Sequence, residues 1–183
     1  MMSANSSSIE QYLRPGRRAH LVGIGGVSMR PLGLVLRSMG MEITGSDMNA
    51  SVATEELQRS GITVYIGHRE ENIEGADCVI RTAAAHNDNP EIAAARAAGI
   101  PIFERAQAWG HLMRSYKNAI CVAGTHGKTT TTSMLTHIFM RAQRDPTVMI
   151  GGSLPLLGAG HRVGRGDTII LESCEYCNSF LNF

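Results

Sequence analysis

The sequence predicts an α/β protein made of two parallel-sheet units, one after the other. Short apolar runs alternate with amphipathic stretches along the chain. Two of those runs, at 19–24 and 119–123, end in glycine-containing turns that open helices. A polar break at 115–118 stands just before the second run and sets the boundary. The expected organisation is a loose Ser-rich tail over 1–17, a first domain over 18–117 and a second beginning at 118 and running to 183.

The elements follow from local pattern. A strand over 19–24 precedes a helix over 28–39, whose Met29, Leu32, Val35, Leu36 and Met39 share one face. Gly40 stops it. A strand over 41–45 leads to Ser46 and Asp47, then come a short helix over 52–59 and strands over 62–66 and 77–82. Pro90 opens a helix to 98, a position where a missing N–H costs nothing. A strand over 100–103 and a helix over 105–116 follow, with Trp109, Leu112 and Met113 facing inward. In the second unit a strand over 119–123 precedes a helix over 128–143, with Met134, Leu135, Ile138 and Phe139 as its buried side. Strands over 148–150 and 168–172 complete that sheet.

Composition narrows the function. Of 183 residues, 43% are hydrophobic and 18% charged, which suits a globular chain. The net charge of +1 argues against nucleic acid or an anionic membrane as partner. No run approaches the roughly 18 apolar residues of a membrane span. The first ten residues lack the apolar centre of an export signal, so the cytoplasm is the expected compartment. Cys174 and Cys177 form a CxxC with no second pair nearby, which speaks against structural zinc. Cys78 and Cys121 sit in apolar runs and are expected to be packed thiols.

The first turn reads Gly23-Ile24-Gly25-Gly26-Val27-Ser28. Between a strand and a helix, such a turn lets backbone approach a pyrophosphate, with helix amides and dipole behind it. Ser28 replaces the usual third glycine, and Asp47 ends the next strand 24 residues after Gly23; an acidic residue about 20 positions on binds a ribose hydroxyl in dinucleotide-binding folds. A nicotinamide-dependent oxidoreductase and a tight turn without ligand are the competing readings of this turn alone.

The second turn reads Gly124-Thr125-His126-Gly127-Lys128-Thr129-Thr130. Lysine at a helix start, between glycine and hydroxyl residues, is the working end of a P-loop. Backbone amides cradle phosphates, Lys128 reaches β/γ oxygens and the Thr129 hydroxyl meets Mg²⁺. Four threonines, Thr129 to Thr132, open this helix against their propensity. Glu172 and Glu175 stand at the end of the last strand, where α/β sheets collect ligands and where a carboxylate can face Mg²⁺. An oxidoreductase leaves this second turn unexplained.

Together these residues resemble the Mur ligases. GTHGKTTTT at 124–132 is the family's shortened P-loop, and HLVGIGGVSM at 20–29 resembles the turn of the branch that joins L-alanine to UDP-N-acetylmuramic acid. TGSD at 44–47, GH at 67–68, DNPEI at 88–92 and ESCEYCNSFL at 172–181 match that branch in order and spacing. The resemblance implies a Rossmann-like UDP-sugar domain followed by the start of a P-loop ATPase-like central domain. It implies that Gly23, Gly25, Gly26, Val27 and Ser28 hold the UDP-N-acetylmuramic acid pyrophosphate, with Asp47 and His68 near the uridine. Gly124, Thr125, His126, Gly127, Lys128, Thr129 and Thr130 would hold ATP, with Lys128 and Glu172 catalytic. Thr129 and Glu172 would serve Mg²⁺, with Glu175 behind them.

The implied reaction forms an acyl phosphate from the muramoyl carboxylate and ATP, which the amine of L-alanine then attacks. Small molecules are the only partners implied. Three positions depart from the family pattern: Ser28, Pro31 inside the helix start, and Ile150 where asparagine is common. The family pattern should continue past Phe183 through the amino-acid domain. The 183-residue chain is therefore expected to be inactive by itself. A free-standing UDP-sugar or nucleotide-binding module is the alternative, and a ligase that recycles a muropeptide is the rival within the family.

Overall fold

Strand β1 (Arg18–Val22) buries Ala19, His20, Leu21 and Val22 in succession, as a strand covered on both faces must. It lies at the centre of a five-stranded parallel sheet. Beside it are β2 (Glu42–Asp47), β3 (Thr63–Ile66), β4 (Cys78–Arg81) and β5 (Ile102–Glu104), in the order β3-β2-β1-β4-β5. The order reverses between β1 and β4, so the crevice at the carboxyl ends of those strands is the natural ligand position of an open α/β sheet. In the computed structural model residues 6–173 are described; Cys174, Glu175 and Cys177, and the sequence motif beyond Ser173, lie outside them.

Helix α2 (Met29–Ser38) buries Met29, Leu32, Val35 and Leu36 of the predicted stripe, while Met39 caps the helix and is only half-buried; Pro31 is tolerated in the first turn. A Cβ on Gly45 would stand 2.6 Å from Ile24 Cδ1 and 2.7 Å from Leu21 O, so only glycine lets Ile24 fold back over β2. Helix α3 (Val52–Arg59) starts at a capping box: Ser51 Oγ accepts from Thr54 N at 3.3 Å and Ser51 N donates to Thr54 Oγ1 at 2.8 Å. Helix α4 (Pro90–Ala97) has Asn89 Oδ1 accepting from Glu91 N and Ile92 N. Ile92 and Ala95 of α4 pack with Val22, Ile73, Val79 and Ala85.

The expected loose tail is corrected in part. Residues Ser6–Tyr12 form helix α1; Ile9 and Leu13 are buried, and the Tyr12 ring lies 5.9 Å from Phe103. Ile9, Tyr12 and Leu13 are spaced i, i+3 and i+4, which gives one apolar stripe despite the polar surroundings. Helix α5 (Arg105–Arg114) buries Trp109, Leu112 and Met113 as expected. The chain divides into two compact units within α5, after Ala108, upstream of the polar break at 115–118.

The second unit carries β6 (Asn118–Val122), helix α6 (Lys128–Arg141), β7 (Thr147–Leu154), β8 (Ala159–Arg162) and β9 (Thr168–Glu172), with strand order β6-β9-β7-β8. β6, β9 and β7 run parallel, while β8 returns antiparallel on β7. β8 was not predicted, because AGHR has no apolar alternation. Leu135 and Phe139 of α6 pack on Val148, Ile150, Leu154 and Ile170 as expected. Met134 and Ile138, expected inward, are instead 60% and 61% exposed. The inner face belongs to Thr132 and Thr136, both fully buried, whose hydroxyls donate to Lys128 O and Thr132 O at 2.8 Å. Bonded back into its own helix, a threonine hydroxyl no longer needs water.

Burial pushes the Cys78 thiol up to about 12, so it is a packed rather than a reactive thiol; Cys121 is only half-buried, and the burial it has raises its thiol as well. Among the described residues no helix is long and apolar enough to cross a membrane. Leu13→Ala should cost about 2–3 kcal/mol in denaturant unfolding, the lower part of the range for a buried leucine. A change under about 0.5 kcal/mol, the size of a surface substitution, would show that α1 is not docked.

Candidate functional site

Two glycine turns form the candidate sites, one in each unit. In the first, β1 ends at Val22 and the chain turns over β2: Gly23 N and Ile24 N donate to Ser46 O at 2.8 and 2.9 Å. Gly23 has φ +80°, and a Cβ there would lie 2.7 Å from Thr82 Cγ2 after β4. Gly26 N closes the turn onto Gly23 O, and the amides of Met29 and Arg30 return to Gly26 O. The amide of Val27, at the apex, makes no hydrogen bond among the described residues, and Val27 is 65% exposed. Ser28 stands at the start of α2 without a side-chain cap. The turn presents fewer open amides than its glycine pattern suggested.

Asp47 ends β2 beside this turn. Its Oδ2 accepts from Gly25 N at 2.9 Å, and a Cβ on Gly25 would stand 2.8 Å from that oxygen. The carboxylate thus braces the turn and requires glycine opposite it.

His68 follows β3 and joins a buried polar cluster that sequence reasoning missed. Glu91, fully buried in α4, accepts from Ser46 Oγ at 2.6 Å and from Asn72 Nδ2 at 2.6 Å, and its Oε2 lies 3.0 Å from His68 Nδ1. His20 Nε2 lies 3.6 Å from Glu91 Oε1, and His20 Nδ1 is 2.9 Å from Thr44 Oγ1. Burial alone would raise the Glu91 carboxyl. The facing His20 and the hydrogen bonds from Ser46 and Asn72 outweigh it and bring it down to about 2. In the sequence Glu91 looked like an ordinary acidic residue of a helix first turn, where the dipole favours it in water. Only the DNPEI pattern drew attention to it.

In the second unit Gly127, at φ +76°, starts α6 without a side-chain cap, so the amides of the first helical turn keep their capacity for an anion. Lys128 Nζ donates to Gly124 O, closing the loop on itself. Thr125, His126 and Thr130 are exposed. Glu172 ends β9, next to β6 in the sheet, and its two oxygens separate two tasks: Oε1 accepts from Thr129 Oγ1 at 2.9 Å and Oε2 from Gly151 N at 2.8 Å. A Cβ on Gly151 would sit 2.9 Å from Glu172 Oε1, so this carboxylate also lies tight against glycine.

Thr129 and Glu172 form a pair of hard oxygen donors beside a lysine and a helix start, and this fits Mg²⁺. Among the described residues no three or more His, Cys, Asp or Glu side chains gather to cage a metal. A cation here would draw its other ligands from phosphate and water. Glu175, the other predicted metal residue, lies outside the described residues.

A parallel sheet ordered 3-2-1-4-5 with a glycine turn after its first strand, followed by a P-loop-type turn with a carboxylate at the neighbouring strand end, is an α/β arrangement of the class that includes nucleotide-binding proteins. The family profile described as "Mur ligase family, catalytic domain" matches residues 18–117. The chain is 47% identical over 91% of its length to the UDP-N-acetylmuramate–L-alanine ligase of Clostridium botulinum and 46% identical over 91% to that of Acetivibrio thermocellus. It spans 36% of the length of those curated relatives. Among solved structures it matches UDP-N-acetylmuramate-alanine ligase MurC from Thermotoga maritima (TM-score 0.77, 35% identity, 85% of this chain and 37% of that one). It also matches a murein peptide ligase from Psychrobacter arcticus (TM-score 0.82, 26% identity, 92% of this chain and 41% of that one). The chain belongs to the Mur ligase family.

The buried Glu91 gives a sign to acid stability. Its folded value lies below the ordinary 4.5, so its contribution is fully present above that value and is lost as pH falls toward about 2. Glu91→Gln should lower stability at neutral pH and flatten the loss between pH 4.5 and about 2. Denaturant midpoints measured across that window check it; an unchanged acid slope would contradict the ionised, buried state.

Proposed function

We propose that this chain supplies the UDP-sugar site and the ATP-phosphate site of a ligase that joins L-alanine to the carboxylate of UDP-N-acetylmuramic acid. The observation that carries the reading is the convergence of Lys128, at the start of α6, with the Thr129–Glu172 pair at 2.9 Å. This arrangement supports the reading because an ammonium group and helix amides would hold a phosphate tail, with oxygen donors beside them for Mg²⁺.

In this reading the amides after Gly127 and the Lys128 ammonium bind the β and γ phosphates. Lys128 exchanges its contact with Gly124 O for phosphate oxygens. Thr129 and Glu172 would hold Mg²⁺, which would offset charge on the phosphate oxygens. The muramoyl carboxylate attacks the γ phosphorus and ADP leaves; the amine of L-alanine attacks the resulting acyl phosphate, and phosphate leaves. The chain's own residues contribute position and charge rather than covalent chemistry. The turn from Gly23 to Ser28 takes the UDP pyrophosphate, and His68 lies toward the uridine. These substrates and ATP belong to the cytoplasm, and the reaction serves peptidoglycan precursor synthesis.

A murein peptide ligase is the second reading, favoured by the TM-score of 0.82. Identity weighs against it: 26% there, against 35% and 47% for the L-alanine ligases.

Calorimetric titration of the chain with UDP-N-acetylmuramic acid, ATP–Mg²⁺ and NADH tests the proposal. Binding of the first two without NADH is the expected result; tight NADH binding without the UDP-sugar would overturn it. Lys128→Ala should weaken ATP by about tenfold or more, the loss of one charge-assisted contact, and leave UDP-sugar affinity unchanged.

A further inference from the structure

We infer that Glu91 is a positioning residue of the UDP-sugar site: it fixes His68 with its hydrogen on Nδ1 and leaves Nε2 as an acceptor for a hydroxyl or N–H at the uridine end of the ligand. The inference rests on the proposed UDP-sugar reading and adds to it a residue buried behind the one that touches ligand.

The hydrogen count fixes the tautomer. An ionised Glu91 only accepts. Ser46 Oγ spends its single hydrogen on Glu91 Oε2 at 2.6 Å, so toward His68 Nδ1, 3.0 Å away, it too only accepts. Both neighbours of Nδ1 are acceptors, so Nδ1 carries the hydrogen. In the neutral ring Nε2 then holds the lone pair. No hydrogen bond engages Nε2 among the described residues, and the side chain keeps 13% of its exposure.

The cluster is also tied to the glycine turn. The same Ser46 whose hydroxyl joins Glu91 to His68 accepts Gly23 N and Ile24 N on its carbonyl. Asn72 Nδ2 holds Gly67 O at 3.1 Å and Glu91 Oε1 at 2.6 Å, fixing the backbone just before His68. His20 faces Glu91 from β1. A buried carboxylate meant only for packing has no need to end on a partly exposed imidazole at the carboxyl edge of the sheet. Metal sites use the same device, a carboxylate behind a histidine that sets which ring nitrogen meets the ligand.

A double-mutant cycle tests this, with UDP-N-acetylmuramic acid affinity read by calorimetry on the full chain. His68→Ala and Glu91→Gln should each weaken binding about tenfold, and the double variant should be no weaker than His68→Ala alone. If the two losses multiply, or if Glu91→Gln binds like the parent, Glu91 does not act through His68 and the proposal falls while the site reading stands. If the parent chain does not bind the UDP-sugar, or His68→Ala leaves affinity unchanged, the site reading itself is overturned and the proposal with it.

Nitrogen NMR of His68 near pH 8 gives a readout that packing alone would not move. The hydrogen is expected on Nδ1, and the Nε2 signal is expected to move on adding UDP-N-acetylmuramic acid. A hydrogen on Nε2 would overturn the proposal. Should Glu91→Gln fail to fold, Ser46→Ala takes its place in the cycle with the same expected outcomes.

Discussion

A carboxylate at the end of a parallel strand, set against the glycine turn of the strand beside it, is the constraint on which both halves of this protein depend. Asp47 ends β2 and takes Gly25 N; Glu172 ends β9 and takes Thr129 Oγ1 and Gly151 N. Each contact fixes a strand-to-helix turn at the edge of its sheet, and each stands so close to a glycine that a Cβ would intrude. Charge and sterics act together. The carboxylate satisfies a donor in the turn, and the glycine leaves room for it.

That constraint has an electrostatic consequence. A phosphate brought to either turn meets positive helix dipole and open amides, but also a negative group nearby. In the second turn Lys128 stands beside the helix start, and a cation held on the Thr129 and Glu172 oxygens, which a hard cation prefers, would resolve the conflict. In the first turn no lysine stands in the glycine sequence. There Asp47 is drawn onto the backbone, and the apex amide of Val27 makes no hydrogen bond among the described residues. The contrast fits a site that positions an intact pyrophosphate in one unit and a site that manages a reacting phosphate in the other.

Much of the architecture was legible in sequence because periodicity and punctuation agreed. The α2 stripe, the Asn89–Pro90 helix start and the glycine turns all appear where their local chemistry put them. What escaped had its cause in three dimensions. Met134 and Ile138 looked like core by hydrophobicity, yet Thr132 and Thr136 took the inner face by bonding their hydroxyls within the helix. The stripe of Ile9, Tyr12 and Leu13 was hidden in a serine-rich segment. Glu91 could not be recognised as buried, because its partners Ser46, His68 and Asn72 come from distant parts of the chain. The candidate residues of the two turns were legible as residue types. Which amides stay open, and which carboxylate braces which turn, was not.

The account stands or falls on whether these two turns are where the two nucleotides go. Amide chemical-shift mapping of the isotope-labelled chain, titrated in turn with UDP-N-acetylmuramic acid and with ATP–Mg²⁺, measures that directly. The UDP-sugar is expected to move the amides of 23–28 and the signals around His68, while ATP–Mg²⁺ is expected to move those of 124–130 and Gly151. Shifts confined to other segments, or both ligands moving the same turn, would contradict it.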